Sequence, residues 1–296
     1  MSVPAIKDLR VRKGRTIGTS PEIKAQLVIE QFNFFIAAIG WENIQGKVVA
    51  EIGPGDAIPL AALFLAAGAH QYLAVDRFLG EIYGADALRL YEAVAILMPA
   101  RLEYGLRHLY NRARIQSMEE LVKSPELVNL YREPIERPAD SLRGKADYIV
   151  SFNVCEHLSD VPRALRGMRS ILASSGAMIH RIDYGPHDLW LHSYENPLTF
   201  LTIPRAVWRA MTSNRGCPNR VRHTELVAMA RDLGFDCTET IGRRASKKDI
   251  LEARPHFSSE FRSTSDDDIS VLDAEVICRR RVMSIDDPTS SQEIVD

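Results

Sequence analysis

Two acids and two glycines stand at spacings that suit a ligand carrying both hydroxyls and positive charge. They are Glu51, Gly53, Gly55 and Asp76. Glu51 lies near the end of a short apolar run, Lys47-Val-Val-Ala-Glu-Ile52, which leads directly into Gly53-Pro-Gly55. A glycine has no Cβ, so a ligand can approach the backbone closely at such a turn. About twenty residues further on, a second apolar run, Gln71-Tyr-Leu-Ala-Val75, ends on Asp76. An acid at a strand tip can accept hydrogen bonds from both hydroxyls of a ribose. A dinucleotide-binding turn takes three glycines, as G-x-G-x-x-G. Here Asp56, Ala57 and Ile58 follow Gly55, so the third glycine is missing and an acid sits where a pyrophosphate would pass. Acids on both sides of the turn favour a cationic ligand over a nicotinamide dinucleotide.

These residues need a scaffold that brings strand ends together. Ala57–Gly68 is helix-like, so the segment 47–76 reads as strand, glycine turn, helix, strand. Before it, Pro21–Gly40 reads as a helix with proline near its start and glycine at its end. After it come helix-like stretches at Gly84–Met98 and Ala100–Ala113, and a capping-box pattern at Ser117–Glu120. This helical region, about 78–138, is too long for a minimal crossover and reads as an insertion. Its basic residues Arg101, Arg107, His108, Arg112 and Arg114 suit a solvated helix face, with an acidic acceptor as the alternative. Ala146–Phe152 has the continuous apolar character of a buried strand, Val161–Ile171 that of a helix, and Ala177–Asp183 that of the next strand, after a turn at Ser174–Gly176. Thr224–Leu233 reads as a helix, and Phe235–Ile241 and Ile269–Val282 as the last strands. Alternation of this kind predicts an α/β fold with a doubly wound, mostly parallel sheet. The expected organisation is an arm and helix over 1–45, one domain over 46–283 with insertions at about 78–138 and 184–222, and a disordered tail over 284–296.

Composition narrows the function classes. With 46% hydrophobic and 26% charged residues the chain is an ordinary globule, and its net charge of −2 gives no electrostatic reason to expect nucleic acid or an anionic membrane as a partner. No run of eighteen apolar residues reads as a membrane span, and the basic N-terminus lacks the apolar stretch of a secretory signal. A cytoplasmic protein is the expectation. The cysteines at 155, 217, 237 and 278 show neither C-x-x-C spacing nor a disulfide framework. Asp183, His187 and Asp188 are the nearest approach to a metal site, and no further ligand is placed, so no metal is expected.

The set Glu51–Gly53–Gly55–Asp76 resembles motifs I and II of class I S-adenosylmethionine-dependent methyltransferases. Asp147-Tyr-Ile-Val-Ser-Phe-Asn-Val-Cys-Glu-His157 is similar to their motif IV region. Ala164–Gly176 is similar to the helix and turn that follow, although Ala173-Ser-Ser-Gly176 replaces the usual K-P-G-G. Softer likenesses at His180–Asp183, Asn196–Leu201, Trp208 and Pro218–Arg222 resemble a bacterial subgroup acting on small acceptors. The resemblance implies a Rossmann-like sheet of seven strands and S-adenosyl-L-methionine as cofactor. It implies that Glu51, Gly53 and Gly55 line the methionine and ribose side, that Asp76 holds the ribose, that Asp140 with Ser141 reaches the adenine, and that Asn153 lies near the methyl group. The acceptor it implies is a small saccharide-like or secondary-metabolite molecule, methylated on oxygen or nitrogen. The alternatives are a protein or RNA methyltransferase and a non-catalytic S-adenosylmethionine-binding regulator. His187 and His157, each just past a strand end, are the candidate general bases. The aromatics at 184, 190, 194, 200 and 208 are either staples for the 184–222 segment or the walls of an acceptor pocket.

Overall fold

The structure, a computed structural model, describes residues 20–186, 196–212 and 218–281. In chain order the elements are α1 (Pro21–Ile39), β1 (Val48–Ile52), α2 (Pro59–Ala66), β2 (Gln71–Val75), α3 (Ala85–Leu97), α4 (Ala100–Ala113), α5 (Met118–Lys123) and β3 (Val128–Tyr131). There follow β4 (Ala146–Phe152), α6 (Val161–Ile171), β5 (Leu172–Asp183), α7 (Arg205–Thr212), α8 (His223–Asp232), β6 (Phe235–Arg244), α9 (Lys247–Ala253), α10 (Asp266–Ser270) and β7 (Val271–Arg280). Local chemistry sets several of the boundaries. Ser20 Oγ accepts the Ile23 N–H at the start of α1, and Gly40 ends that helix with φ of 89°. Ser246 and Asp249 form a reciprocal capping box on α9.

The seven strands form one sheet in the order β3-β2-β1-β4-β5-β7-β6. The pairs among β1 to β5 are parallel, and β7 runs antiparallel to β5 and β6. The order reverses between β1 and β4, which opens a crevice outside the carboxyl ends of those strands. One face of the sheet is covered by α1 to α5, with Phe32, Phe35, Phe64, Tyr72 and Tyr91 buried there. The other is covered by α6 and α8. A third apolar cluster lies beyond the sheet, where Phe200, Leu201 and Trp208 meet Phe257, Phe261 and Ile269. It forms a small helical cap from residues 196–212 and 245–270.

The architecture agrees with the sequence expectation, and the segment boundaries need three corrections. The 78–138 region is not helical throughout, because Val128–Tyr131 is β3, paired with β2. It is an edge strand of four residues, of which only Val128 is buried, so its apolar signal is weak. Ser174–Gly176 belongs to β5, where the pairing with β4 shifts between Ala146 and Tyr148. Ile269 and Ser270 end α10, whose first turn is capped by Ser265, and β7 starts at Val271. Cys237 and Cys278 face each other across β6 and β7 with their sulfurs 3.2 Å apart.

The α4 arginines face solvent, Arg107 pairs with Glu103 at one turn's spacing, and Arg101 lies over the Trp41 ring at 4.0 Å. That arrangement is a solvated helix face. On the inner side of α4, a Cβ on Gly105 would sit 1.9 Å from the Ala66 carbonyl oxygen, so α2 and α4 meet backbone to backbone. Gly105→Ala is therefore expected to lower unfolding stability by about 1–3 kcal/mol through overpacking. Alanine's better helix propensity, about 1 kcal/mol, opposes this and does not rescue it. A denaturant titration that finds the variant as stable as the wild type would contradict the close approach.

Candidate active site

Because β1, β2, β3 and β4 are parallel neighbours, the residues after them share one edge of the sheet. Backbone bonds then knit these ends together. Gly53 N–H donates to Val75 O at 2.9 Å, Asp76 N–H to Tyr131 O at 3.0 Å, and Asn153 N–H to Arg181 O at 2.8 Å. The Asp76 carboxylate sits at the centre. Its Oδ2 accepts the Gly55 N–H at 3.0 Å and its Oδ1 the Phe78 N–H at 2.7 Å. Gly80 N–H closes the set on Gly55 O at 2.9 Å.

The two glycines of the turn are required for different reasons. Both have φ in the left-handed region, 73° and 76°. A Cβ on Gly53 would also fall 2.6 Å from Val154 Cγ1, so the turn after β1 packs directly on the turn after β4. A Cβ on Gly55 would meet nothing within 4 Å. Gly55 thus presents bare backbone to open space, which is the cradle a ligand needs.

Behind the turn, Glu51 points to the side of the sheet covered by α1 and α2 and accepts a short hydrogen bond from the Tyr72 hydroxyl. The residue keeps some solvent contact, but its carboxyl group is surrounded by protein. Burial raises its pKa to about 8. The Tyr72 bond opposes that rise and the charge of Asp76 adds to it. A cation arriving at this cleft would favour the ionised carboxylate.

The turn after β4 starts at Asn153, whose φ of 55° is tolerated by asparagine better than by most residues. A single helical turn follows, Cys155–His157, with Cys155 and Glu156 buried. The His157 side chain is only 12% exposed, with Nε2 3.9 Å from Glu156 Oε1. Beneath it, Ser151 Oγ lies 2.7 Å from His180 Nδ1, and burial holds that imidazole near a pKa of about 4, hence neutral at physiological pH.

The fold therefore gathers Glu51, Gly53, Gly55, Asp76 and Asn153 at one edge, with His157 next to them. It does not bring Asp140 and Ser141 there. They lie in a short helical turn before β4, both exposed, on a segment that runs down α6 away from the carboxyl-end edge; further along it, Gly144 N–H reaches Ser170 O at the far end of that helix. The reason is the position of β3. The turn at its carboxyl end is Arg132-Glu133, where Arg132 binds the carbonyls of Leu79 and Gly80 and Glu133 Oε1 accepts the Ala139 N–H at 2.6 Å. An acid two residues past a strand next to β2 was the available signal, hidden by the weakness of that strand. His187 lies outside the described residues, as do Asp188, Trp190, His192 and Tyr194. Tyr184, Phe200 and Trp208 are buried, and Trp208 Nε1 donates to Pro218 O at 3.0 Å, so these three are staples. Among the described residues no group of three His, Cys, Asp or Glu side chains is placed to hold a metal, and no helix is long and apolar enough to cross a membrane.

Glu51 makes stability depend on pH. Its pKa is raised from 4.5 in the unfolded chain to about 8 in the folded one. The stability it contributes is complete below about 4.5 and is lost as pH rises towards 8. Glu51→Gln cannot ionise, so its stability relative to wild type is expected to climb between pH 5 and 8 and then level. Chemical denaturation of both proteins across that range checks this, and parallel pH curves would contradict a buried, protonated Glu51.

The sequence matches the family described as methyltransferase domain over residues 26–240. No curated protein matches the chain. Solved structures similar to it include the YcgJ protein of Bacillus subtilis, 15% identical, covering 86% of this chain and 100% of its own, with a TM-score of 0.43. They include an S-adenosylmethionine dependent methyltransferase from Mesorhizobium loti, 14% identical, covering 80% and 92%, with a TM-score of 0.42. A phosphoethanolamine N-methyltransferase 2 from Haemonchus contortus, solved with phosphomonomethylethanolamine and S-adenosylhomocysteine, is 11% identical, covering 86% and 53%, with a TM-score of 0.45. With its family match spanning most of the length and an acid-flanked glycine turn at the switch point of a seven-stranded sheet, the chain belongs to the methyltransferase-domain family and is an S-adenosylmethionine-dependent methyltransferase.

Proposed function

We propose that the protein binds S-adenosyl-L-methionine across the turns after β1, β2, β3 and β4 and methylates oxygen or nitrogen of a small saccharide-like or secondary-metabolite acceptor. The observation that carries this reading is the Asp76 carboxylate. It fixes the Gly55 turn through one oxygen while standing at the cleft edge, and Gly55 leaves open space beside it. The residues suit the cofactor. Each Asp76 oxygen accepts one backbone N–H and keeps a lone pair for a ribose hydroxyl. Glu51, held protonated by burial, would ionise as a cationic ligand arrives and then face it with negative charge, and Glu133 would take the adenine-side role that the resemblance implies for Asp140. When bound, S-adenosylmethionine supplies an electrophilic methyl carbon on a positively charged sulfur. The chain's own task is then to orient the acceptor atom and exclude water. A hydroxyl acceptor also needs its proton removed, for which His187, four residues past the end of β5, is the proposed base, with His157 the alternative. The chain's net charge of −2 supports a small acceptor over nucleic acid.

Calorimetry is expected to show binding of S-adenosylmethionine and S-adenosylhomocysteine and none of NAD; the reverse result would sink the cofactor assignment. Asp76→Ala is expected to weaken cofactor binding by about 1.5–3 kcal/mol, the scale of a hydrogen bond to a charged group. It is also expected to lower stability, because two backbone donors lose their acceptor. Glu133→Gln should weaken cofactor binding while Asp140→Asn does not; the opposite pattern would restore Asp140 to the site. With a hydroxyl acceptor, His187→Ala should slow turnover by about 10²–10⁴-fold and leave cofactor affinity unchanged. Wild-type turnover in that variant would remove His187 from the mechanism.

A further inference from the structure

Residues 218–222, Pro-Asn-Arg-Val-Arg, form a strap from the helical cap to the start of α8. Its middle and its C-terminal end are fixed by buried guanidiniums. The Arg220 guanidinium donates to the carbonyls of Phe200 at 3.2 Å and Ile203 at 2.7 Å, pairs with Glu260, and lies 4.8 Å from the Trp208 ring centroid and 5.1 Å from that of Phe261. Arg222 is also buried and donates to the carbonyls of Tyr184 at 2.9 Å, Ile269 at 3.0 Å and Val271. Arg220 ties the strap to the cap, and Arg222 ties it to Tyr184 after β5 and to the junction of α10 with β7.

Just ahead of these anchors, Asn219 does something different. Its backbone N–H donates to Glu156 O at 2.6 Å. Its side-chain Nδ2 donates to Cys155 O at 2.8 Å and Leu158 O at 3.1 Å, while Oδ1 accepts the Val221 N–H at 2.9 Å. One residue, more than sixty positions away in sequence, therefore takes three carbonyls of the turn that follows β4. That turn starts with the left-handed Asn153 and presses Val154 onto Gly53. Only a primary amide supplies two donors and an acceptor from one short planar group. Aspartate would keep the bond from Val221 but could donate to neither carbonyl. Cys155 and Leu158 are buried, so their carbonyls would lose partners that water does not readily replace.

We propose that Asn219 is a positioning residue for methyl transfer: it holds the turn Asn153–Leu158 from behind and so sets where Asn153 and Val154 meet the cofactor-binding glycine turn. The proposal rests on the reading that Asn153 faces the bound cofactor. A strap that only braced the cap would predict something else, namely loss of stability with an undisturbed cofactor site.

The test compares Asn219→Asp, which keeps the strap's own turn and loses the two donated bonds, with Asn219→Ala and with Ile250→Ala, a buried cap position remote from the turn. Three quantities are read: melting temperature, S-adenosylhomocysteine affinity by calorimetry, and hydrogen exchange of the 153–158 amides without ligand. Both Asn219 variants are expected to lose about tenfold in affinity, the scale of one or two net hydrogen bonds, and to exchange faster at 153–158. Ile250→Ala is expected to lower the melting temperature without either change. Asn219→Ala, which adds no charge, carries the comparison if the aspartate variant does not fold. Asn219 variants with wild-type affinity and wild-type exchange at 153–158 would overturn the proposal. If the wild type itself failed to bind S-adenosylhomocysteine, the cofactor reading would fall. Exchange at 153–158 would then decide the Asn219 tie alone, and unchanged exchange would overturn it.

Discussion

The hydrogen bond from Gly55 N–H to the Asp76 carboxylate joins the two turns that frame the cleft. Gly53 is already tied to β2 through the Val75 carbonyl, but without the Asp76 bond Gly55, which has open space around it, would lose its side-chain anchor to the end of β2. With it, Gly55 and Gly80 bond backbone to backbone, Phe78 is drawn to the same carboxylate, and Asp76 itself is set by Tyr131 on β3. A charge-assisted bond of this kind is stronger than a neutral one and directional. One acid thereby determines the shape of the site and offers its remaining lone pairs to a ligand.

The rest of the site is built outward from that tie by close packing. Gly53 allows Val154 to lie against the first turn, so the ends of β1 and β4 cannot move independently. Asn219 holds the far side of the β4 turn, and the buried guanidiniums of Arg220 and Arg222 secure Asn219's own segment to the cap and to β7. Cofactor side and cap are thus linked through backbone carbonyls rather than through surface charge. Such links are insensitive to salt, and each leaves a buried acceptor unsatisfied if it is broken. Glu51 adds a different element. Its carboxyl is costly to ionise where protein surrounds it and becomes less so when a cation is near, which couples ligand charge to proton release.

Much of this was legible in the sequence because it depends on residue types with few substitutes. Glycines at positive φ, an acid at a strand tip and continuous apolar runs for buried parallel strands all announce themselves. The parts that were missed depend on tertiary context. β3 is a four-residue edge strand with one buried side chain, so its place beside β2, and that of Glu133 just past it, is not legible from apolar pattern alone. The aromatic residues of the 184–222 segment carried no sign of whether they face a ligand or a core, and the third apolar cluster buries Phe200 and Trp208. For Asn219, nothing in a linear sequence shows that its amide meets carbonyls some sixty residues earlier.

The most direct test of this account is a hydrogen-exchange footprint of S-adenosylhomocysteine on the wild-type protein. The account predicts slowed exchange in four separate stretches, at 53–56, 76–80, 132–134 and 153–158, which are the turns after the four parallel strands β1 to β4. Protection elsewhere, or binding that leaves the 53–56 and 76–80 amides unchanged, would contradict it.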